Sequence, residues 1–243
     1  MLATFHMPLW RAAPSLGPVF LGSALGWTGA VALQLALFAL IALATLWVES
    51  RRGVTPQGRS PVDVWRRLWQ GPWPFLAGGV ALAVLNAATL VLSGQPWGVT
   101  WAFTLWGGKA LQAVGYDLSR VAYWRGEFEQ AALAAPLLAD VTTVMNLGLV
   151  LGAVLGAGLA GRFAVARRVP LRIVAASLLG GILMGYGARL SFGCNIGAYF
   201  SGIASTSLHG WLWLAAALFA TPLGVELRAL FGVEQRKPGA SPR

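Results

Sequence analysis

Apolar runs of about twenty residues, separated by short arginine-bearing loops, constrain this chain more than any other feature. Trp27 to Val48 is such a run, with no charged residue, and it is long enough to cross a hydrocarbon core about 30 Å thick. Pro72 to Leu92, Val141 to Leu159, the run from Leu171 and the run from Trp211 to Leu223 repeat the pattern. Charged residues make up only 11% of the chain and apolar residues 57%, whereas a soluble domain carries about a quarter charged. The expected fold class is an all-α polytopic membrane protein, one transmembrane domain over residues 1–243. The net charge of +10 does not imply a nucleic-acid partner. The arginines sit between apolar runs, as the positive-inside rule requires of cytoplasmic loops. The loop Glu49 to Trp69, with Arg51, Arg52, Arg59, Arg66 and Arg67 against Glu49 and Asp63, is therefore placed in the cytoplasm. Residues 1–26, interrupted by Pro8, Pro14 and Pro18, read as an interfacial loop, and residues 232–243 as a polar tail.

Two segments do not fit simple spans. Trp97 to Tyr116 is long enough to cross but contains Gly107-Gly108-Lys109. If it crossed, the net-negative loop Asp117 to Gln130 would be cytoplasmic and the loop with Arg162, Arg167, Arg168 and Arg172 would be outside, against the rule. A re-entrant segment, broken at the glycines, keeps both loops in order. The count is then about five spanning helices and two re-entrant or broken ones, with the N-terminus outside and the C-terminus inside. Gly148, Gly152 and Gly156 form overlapping GxxxG steps suited to close helix packing.

The second irregular segment is Gly185 to Trp213, GYGARLSFGCNIGAYFSGIASTSLHGWLW, which holds the sole cysteine, Cys194. Glycine costs roughly 1 kcal/mol against alanine inside a helix, so this density predicts a break. Backbone amides freed at a break suit an anion, and a thiol is a soft contact for another sulfur atom. Gly193, Asn195, Gly197 and Ser191 surround the cysteine and complete the candidate binding set. Arg189 either attracts an anion, if buried, or anchors the helix by snorkelling. His209 reads as an interfacial or capping residue. Lys109 is a pathway candidate or a snorkelling cation. Asp140 is expected to cap the following helix ahead of Thr142 and Thr143, with Asn146 in its first turns. With no second cysteine or nearby carboxylate there is no metal site, and nothing calls for a cofactor or for enzyme chemistry.

GYGARLSFGCNIGAYFSGIASTSLHGWLW, with GQPWGVTWAFTLWGGKALQAVG and LADVTTVMNLGLVLGA, resembles the YeeE/YedE family of bacterial inner-membrane proteins over nearly the whole chain. The resemblance implies uptake of thiosulfate or a related small inorganic sulfur anion, through half of an hourglass-type fold whose short helices meet near the midplane. It also implies that cysteine thiols pass the anion along by hydrogen bonds, and only Cys194 matches such a position here. The family's earlier glycine-rich repeat of the GGGC type has no counterpart. The chain thus resembles the C-terminal half, working as a homodimer or with a missing N-terminal half in the lipid bilayer. Two other readings stand beside it: a membrane sulfur transferase with Cys194 as nucleophile, and a non-transporting structural half-subunit.

Helix rise gives one further expectation. Ile173 to Gly187 climbs about 22 Å at 1.5 Å per residue, short of a core about 30 Å thick. The chain should therefore turn within membrane depth, and Leu190 to Ala204 should form a short broken element packed on the Gly148 to Gly156 helix, with Cys194 facing inward.

Overall fold

The computed structural model describes residues 1–15, 17–51, 71, 73–165 and 168–232. Most of the arginine loop, with Arg52, Arg59, Asp63, Arg66 and Arg67, as well as Arg167 and the tail beyond Gly232, lies outside the described residues. The described residues are almost entirely helical. Nine α-helices run in order: α1 (Leu2–Arg11), α2 (Leu21–Arg51), α3 (Phe75–Ser93), α4 (Thr100–Ala113), α5 (Glu127–Ala134), α6 (Val141–Leu159), α7 (Leu171–Leu190), α8 (Ser201–Ala204) and α9 (Leu208–Leu230). Five stretches are long and apolar enough to cross a membrane: α2, α3, α6, the stretch beginning with α7, and α9. This is an all-α multi-pass membrane protein, and its span surfaces are largely exposed because lipid replaces protein as the apolar neighbour.

The main hydrophobic cluster lies beside the spans. Leu105 of α4, Leu118, Val121, Tyr123 and Trp124 of two 3₁₀ turns, and Leu133 of α5 form it, with Met1, Phe5 and Met7 of the N-terminus packed against it. Two expectations are corrected here. Residues 2–11 are helix, in spite of Pro8, because α1 buries Ala3 and Thr4 and docks on the cluster. Tertiary burial outweighs the breaker signal. Gly107 and Gly108, expected as a break, sit inside an uninterrupted α4. Their role is to admit neighbours: a Cβ on Gly107 would stand 2.9 Å from Met1, and one on Gly108 2.8 Å from the Trp124 ring.

Two backbone hydrogen bonds fix the topology. Leu21 N–H donates to Thr206 O at 2.8 Å and Leu208 N–H to Val19 O at 3.0 Å, so α2 and α9 start side by side. With α3, α6 and α7 crossing between them, α2 and α9 share a starting side only if residues 94–140 do not cross. A course of residues 94–140 along one side agrees with the charge argument, although α4 itself carries no break. Gly26 (φ 72°, ψ 160°) kinks α2 just after this junction, in a conformation that glycine adopts without steric penalty.

Candidate functional site

α7 continues three residues past Gly187, to Leu190, and its 20 residues rise about 30 Å. The break is real, but it comes three residues later than the expected helix end at Gly187. The correction has a simple cause: Gly185 and Gly187 stay helical, because a glycine costs too little to stop a helix between good formers. What ends the helix is the next stretch. Phe192 takes a left-handed conformation (φ 56°) and Gly193 follows at φ 151°. The Gly193 N–H reaches back to Ala188 O at 2.8 Å.

Cys194 follows, extended, and its carbonyl opens a turn of π-helix over Asn195–Phe200 by accepting from Ala198 N–H (2.8 Å) and Tyr199 N–H (3.4 Å). Such π segments occur frequently at functional sites. The N–H groups of Cys194, Asn195, Ile196 and Gly197 precede those bonds and have no partner among the described residues. The thiol is free and half-buried. Ser191 Oγ donates to Gly193 O at 2.9 Å, and His209 Nε2 lies 2.7 Å from Ser191 O. A carbonyl only accepts, so Nε2 carries the proton and His209 staples α9 to the loop before Cys194.

The element Leu190 to Ala204 does not pack on the Gly148 to Gly156 helix, as its spacing suggested. Cβ atoms at Gly148, Gly152 and Gly156 would meet nothing within 4 Å. The partner is α9, because another glycine pair provides the close approach. A Cβ on Gly210 would lie 2.8 Å from Ile203 N, and one on Gly202 3.3 Å from Gly210 Cα. Tyr199 and Trp213 stack across the same crossing at 5.5 Å.

Arg189, five residues before Cys194, is half-buried. Its guanidinium lies 5.0 Å from the Tyr123 ring centroid and 5.9 Å from that of Trp101, a cation–π seat. Burial holds the Tyr123 phenol above its ordinary range against a smaller downward pull from Arg189, so the ring stays neutral. Arg189 Nε is buried without a hydrogen-bond partner, and the sole ion pair among the described residues, Asp117–Arg120, lies elsewhere. Lys109 stands apart from this group. Its ammonium donates to Leu133 O and Ala135 O, both at 2.7 Å, and so closes the C-terminus of α5. Asp140 caps α6, accepting from Thr143 N–H at 2.7 Å, as expected. A cleft beside it, lined by Trp101, Phe128 and alanines, presents this carboxylate and suits no anion. The structure thus brings Ser191, Gly193, Cys194, Asn195 and Gly197 together, sets Arg189 next to them on an aromatic seat, and leaves Lys109 out. Tyr123 and Trp101, which hold Arg189, were not singled out in the sequence. Their signal was the aromatic density of 97–124.

Together, the fold and this site define a multi-pass membrane protein with a broken span that presents a free thiol and unpaired donors. The family described as sulphur transport matches residues 1–223, and the chain belongs to that family. It is 33% identical over 167 residues to the "Probable transporter YedE" of Escherichia coli (strain K12), covering 65% of this chain and 38% of that protein. The likeness to the "Probable transporter YedE" of Salmonella typhimurium is also 33%, over 161 residues, covering 62% and 37%. The chain thus spans under two-fifths of the length of these curated relatives. No solved structure matches it.

Proposed function

We propose that this chain takes part in carrying a small sulfur-containing anion of the thiosulfate class across the bacterial inner membrane, with Cys194 contacting the substrate. The observation that carries the reading is the broken span. One turn of backbone offers four unpartnered N–H groups and a half-buried thiol, and among the described residues no carboxylate pairs with Arg189. A partly desolvated guanidinium without an anion is costly, so an anionic ligand would complete the site. Oxygens of the anion suit the amides and its terminal sulfur suits the thiol. Ser191, Gly193, Asn195 and Gly197 shape the turn, whereas Lys109 acts as a helix cap. The working unit we propose is a homodimer or a pairing of this chain with an N-terminal half. Sulfur transfer by Cys194 has less support, since His209 Nε2 is engaged with Ser191 O and the thiol has no hydrogen-bonded base among the described residues.

Uptake of labelled thiosulfate by cells lacking their own route tests this. Cys194→Ala is expected to cut uptake at least tenfold, and equal uptake by the variant would remove the thiol from the mechanism. Arg189→Gln is expected to raise KM roughly tenfold, the equivalent of about 1.4 kcal/mol of anion binding, with a smaller change in maximal rate. An unchanged KM would confine Arg189 to a structural role.

A further inference from the structure

The buried polar atoms that lack a partner are mostly of one kind. Among the described residues they are Gln34 Nε2, Trp124 Nε1, Asn146 Oδ1, Arg189 Nε, Ser201 Oγ and Trp211 Nε1. Five of the six can donate a hydrogen bond, and only the Asn146 oxygen is restricted to accepting. Native interiors leave few such groups, so each calls for an explanation. A group of donors left over in one region is what an anionic ligand would satisfy.

Trp124 and Arg189 belong to the aromatic seat already described. Gln34, Ser201 and Trp211 lie on α2, α8 and α9. Ala30, Gln34 and Phe38 recur every four residues on one face of α2. Ala30 is fully buried, Gln34 is 8% exposed, and the Phe38 ring lies 5.3 Å from Trp211 of α9. α8 and α9 run antiparallel across the tight turn at Ser205–Ser207. Tyr199 stacks on Trp213, and Gly202 meets Gly210. The register between those two pairings sets Ser201, also 8% exposed, opposite Trp211. Gln34 stands in the middle of an uncharged run of a membrane span, where an unsatisfied polar group is expensive and marks a functional position by default.

We propose that Gln34 Nε2, Ser201 Oγ and Trp211 Nε1 form a second anion-binding station, separate from the thiol turn, at the junction of α2, α8 and α9. Its ligand class is a small tetrahedral oxyanion bound through its oxygens. No cation takes part, so the site binds by hydrogen bonds alone and releases readily, as one station of a multi-site path must. Ser201 follows Cys194 by seven residues, which places the station about 10 Å further along the same broken helix. The inference rests on the transport reading for the nature of the anion, while the donor set rests on the three buried, unpartnered atoms and the Phe38–Trp211 contact.

The test measures equilibrium binding of labelled thiosulfate and of labelled sulfate to the purified full chain in detergent, alongside cellular uptake and thermal unfolding. Gln34→Leu, Ser201→Ala and Trp211→Phe are each expected to weaken binding about fivefold or more, the worth of one buried hydrogen bond. Gln34→Glu, which places a carboxylate against the anion, is expected to abolish it. Gln34→Leu is also expected to leave the unfolding midpoint unchanged or raised, because it removes an unpartnered buried amide. Wild-type affinity in these variants would overturn the station, as would a large loss of stability in Gln34→Leu with binding intact. So would the absence of any binding by the unaltered chain. The two ideas separate clearly: Cys194-dependent uptake that ignores Gln34 removes the station alone, and Gln34-dependent binding without uptake removes the transport reading alone.

Discussion

Asp140→Ala is expected to cost about 3 kcal/mol of stability, because no other carboxylate among the described residues gathers as many hydrogen bonds. Four donors converge on this carboxylate. Oδ2 accepts from the Thr143 amide at 2.7 Å, from Thr143 Oγ1 at 2.8 Å and from Thr142 Oγ1 at 2.7 Å, while Oδ1 accepts from Trp101 Nε1 at 3.0 Å. A helix cap alone is worth about 1 kcal/mol, and each hydrogen bond to a charged group about 1.5–3, without simple additivity. Thr142 and Thr143 are buried, so truncation also strands the Thr142 hydroxyl and leaves the Thr143 hydroxyl only as acceptor from Trp106 Nε1. Asp140→Asn keeps one good acceptor and is expected to lose about half as much. Unfolding titrated with a denaturing detergent in mild micelles reads both. A loss below about 1 kcal/mol for the alanine variant would mean that water or backbone replaces the carboxylate. The consequence reaches the candidate site, because Trp101 bridges Asp140 to the face on which Arg189 rests. Asp140→Ala should therefore lower substrate affinity as well.

How far the sequence alone leads can be judged element by element. Apolar run length located all five spans, because in lipid the backbone must satisfy itself and the helix is the simplest way to do so. Asp140 followed by two threonines was readable as a cap, since capping is local chemistry. The charge pattern puts residues 94–140 on one side, since loop arginines follow the membrane's asymmetry, and the side-by-side starts of α2 and α9 agree with that course. The failures share a cause: glycine and proline report what the backbone permits, and packing decides what it does. Pro8 permits a break, yet α1 is helical because the cluster around Trp124 rewards burial. Gly107 and Gly108 permit a break, yet they exist to admit Met1 and Trp124. The GxxxG steps at Gly148 to Gly156 permit close packing, yet Gly202 and Gly210 provide it. Lys109 looked costly inside an apolar segment, and its compensation came from carbonyls more than twenty residues away, which no local pattern reveals. Gln34 was overlooked although its signal was present: an amide in the middle of an uncharged span.

Gly193→Ala is expected to abolish uptake while leaving the protein assembled in the membrane, and Gly197→Ala is expected to leave uptake near normal. Gly193 directly precedes Cys194 and Gly197 follows it by three residues, so both are close to the thiol in sequence and the contrast reports backbone geometry. At Gly193, φ is 151°, a conformation that side chains rarely adopt, costing about 1–3 kcal/mol when forced. Space compounds the strain. A Cβ there would stand 2.7 Å from Ala198 N and 3.0 Å from Gly197 C, backbone atoms with no freedom to swing aside. Ala198 N–H is the donor that closes the π turn on Cys194 O, so relief of the clash must move the cysteine, the turn or both. At Gly197 a Cβ meets only Phe192 O, at 3.9 Å, an ordinary contact, and φ is unexceptional. The helices on either side are anchored independently, α9 to α2 through Thr206 and α1 to α7 through Trp10 and Tyr186, so a displaced turn need not unfold them. Surface expression and the unfolding midpoint establish assembly, and thiosulfate uptake with the alkylation rate of Cys194 reports the turn. Gly193→Ala should change both readouts together. Normal uptake in that variant would show that the conformation before the thiol is incidental, and the anion would then have to be recognised where the backbone is regular.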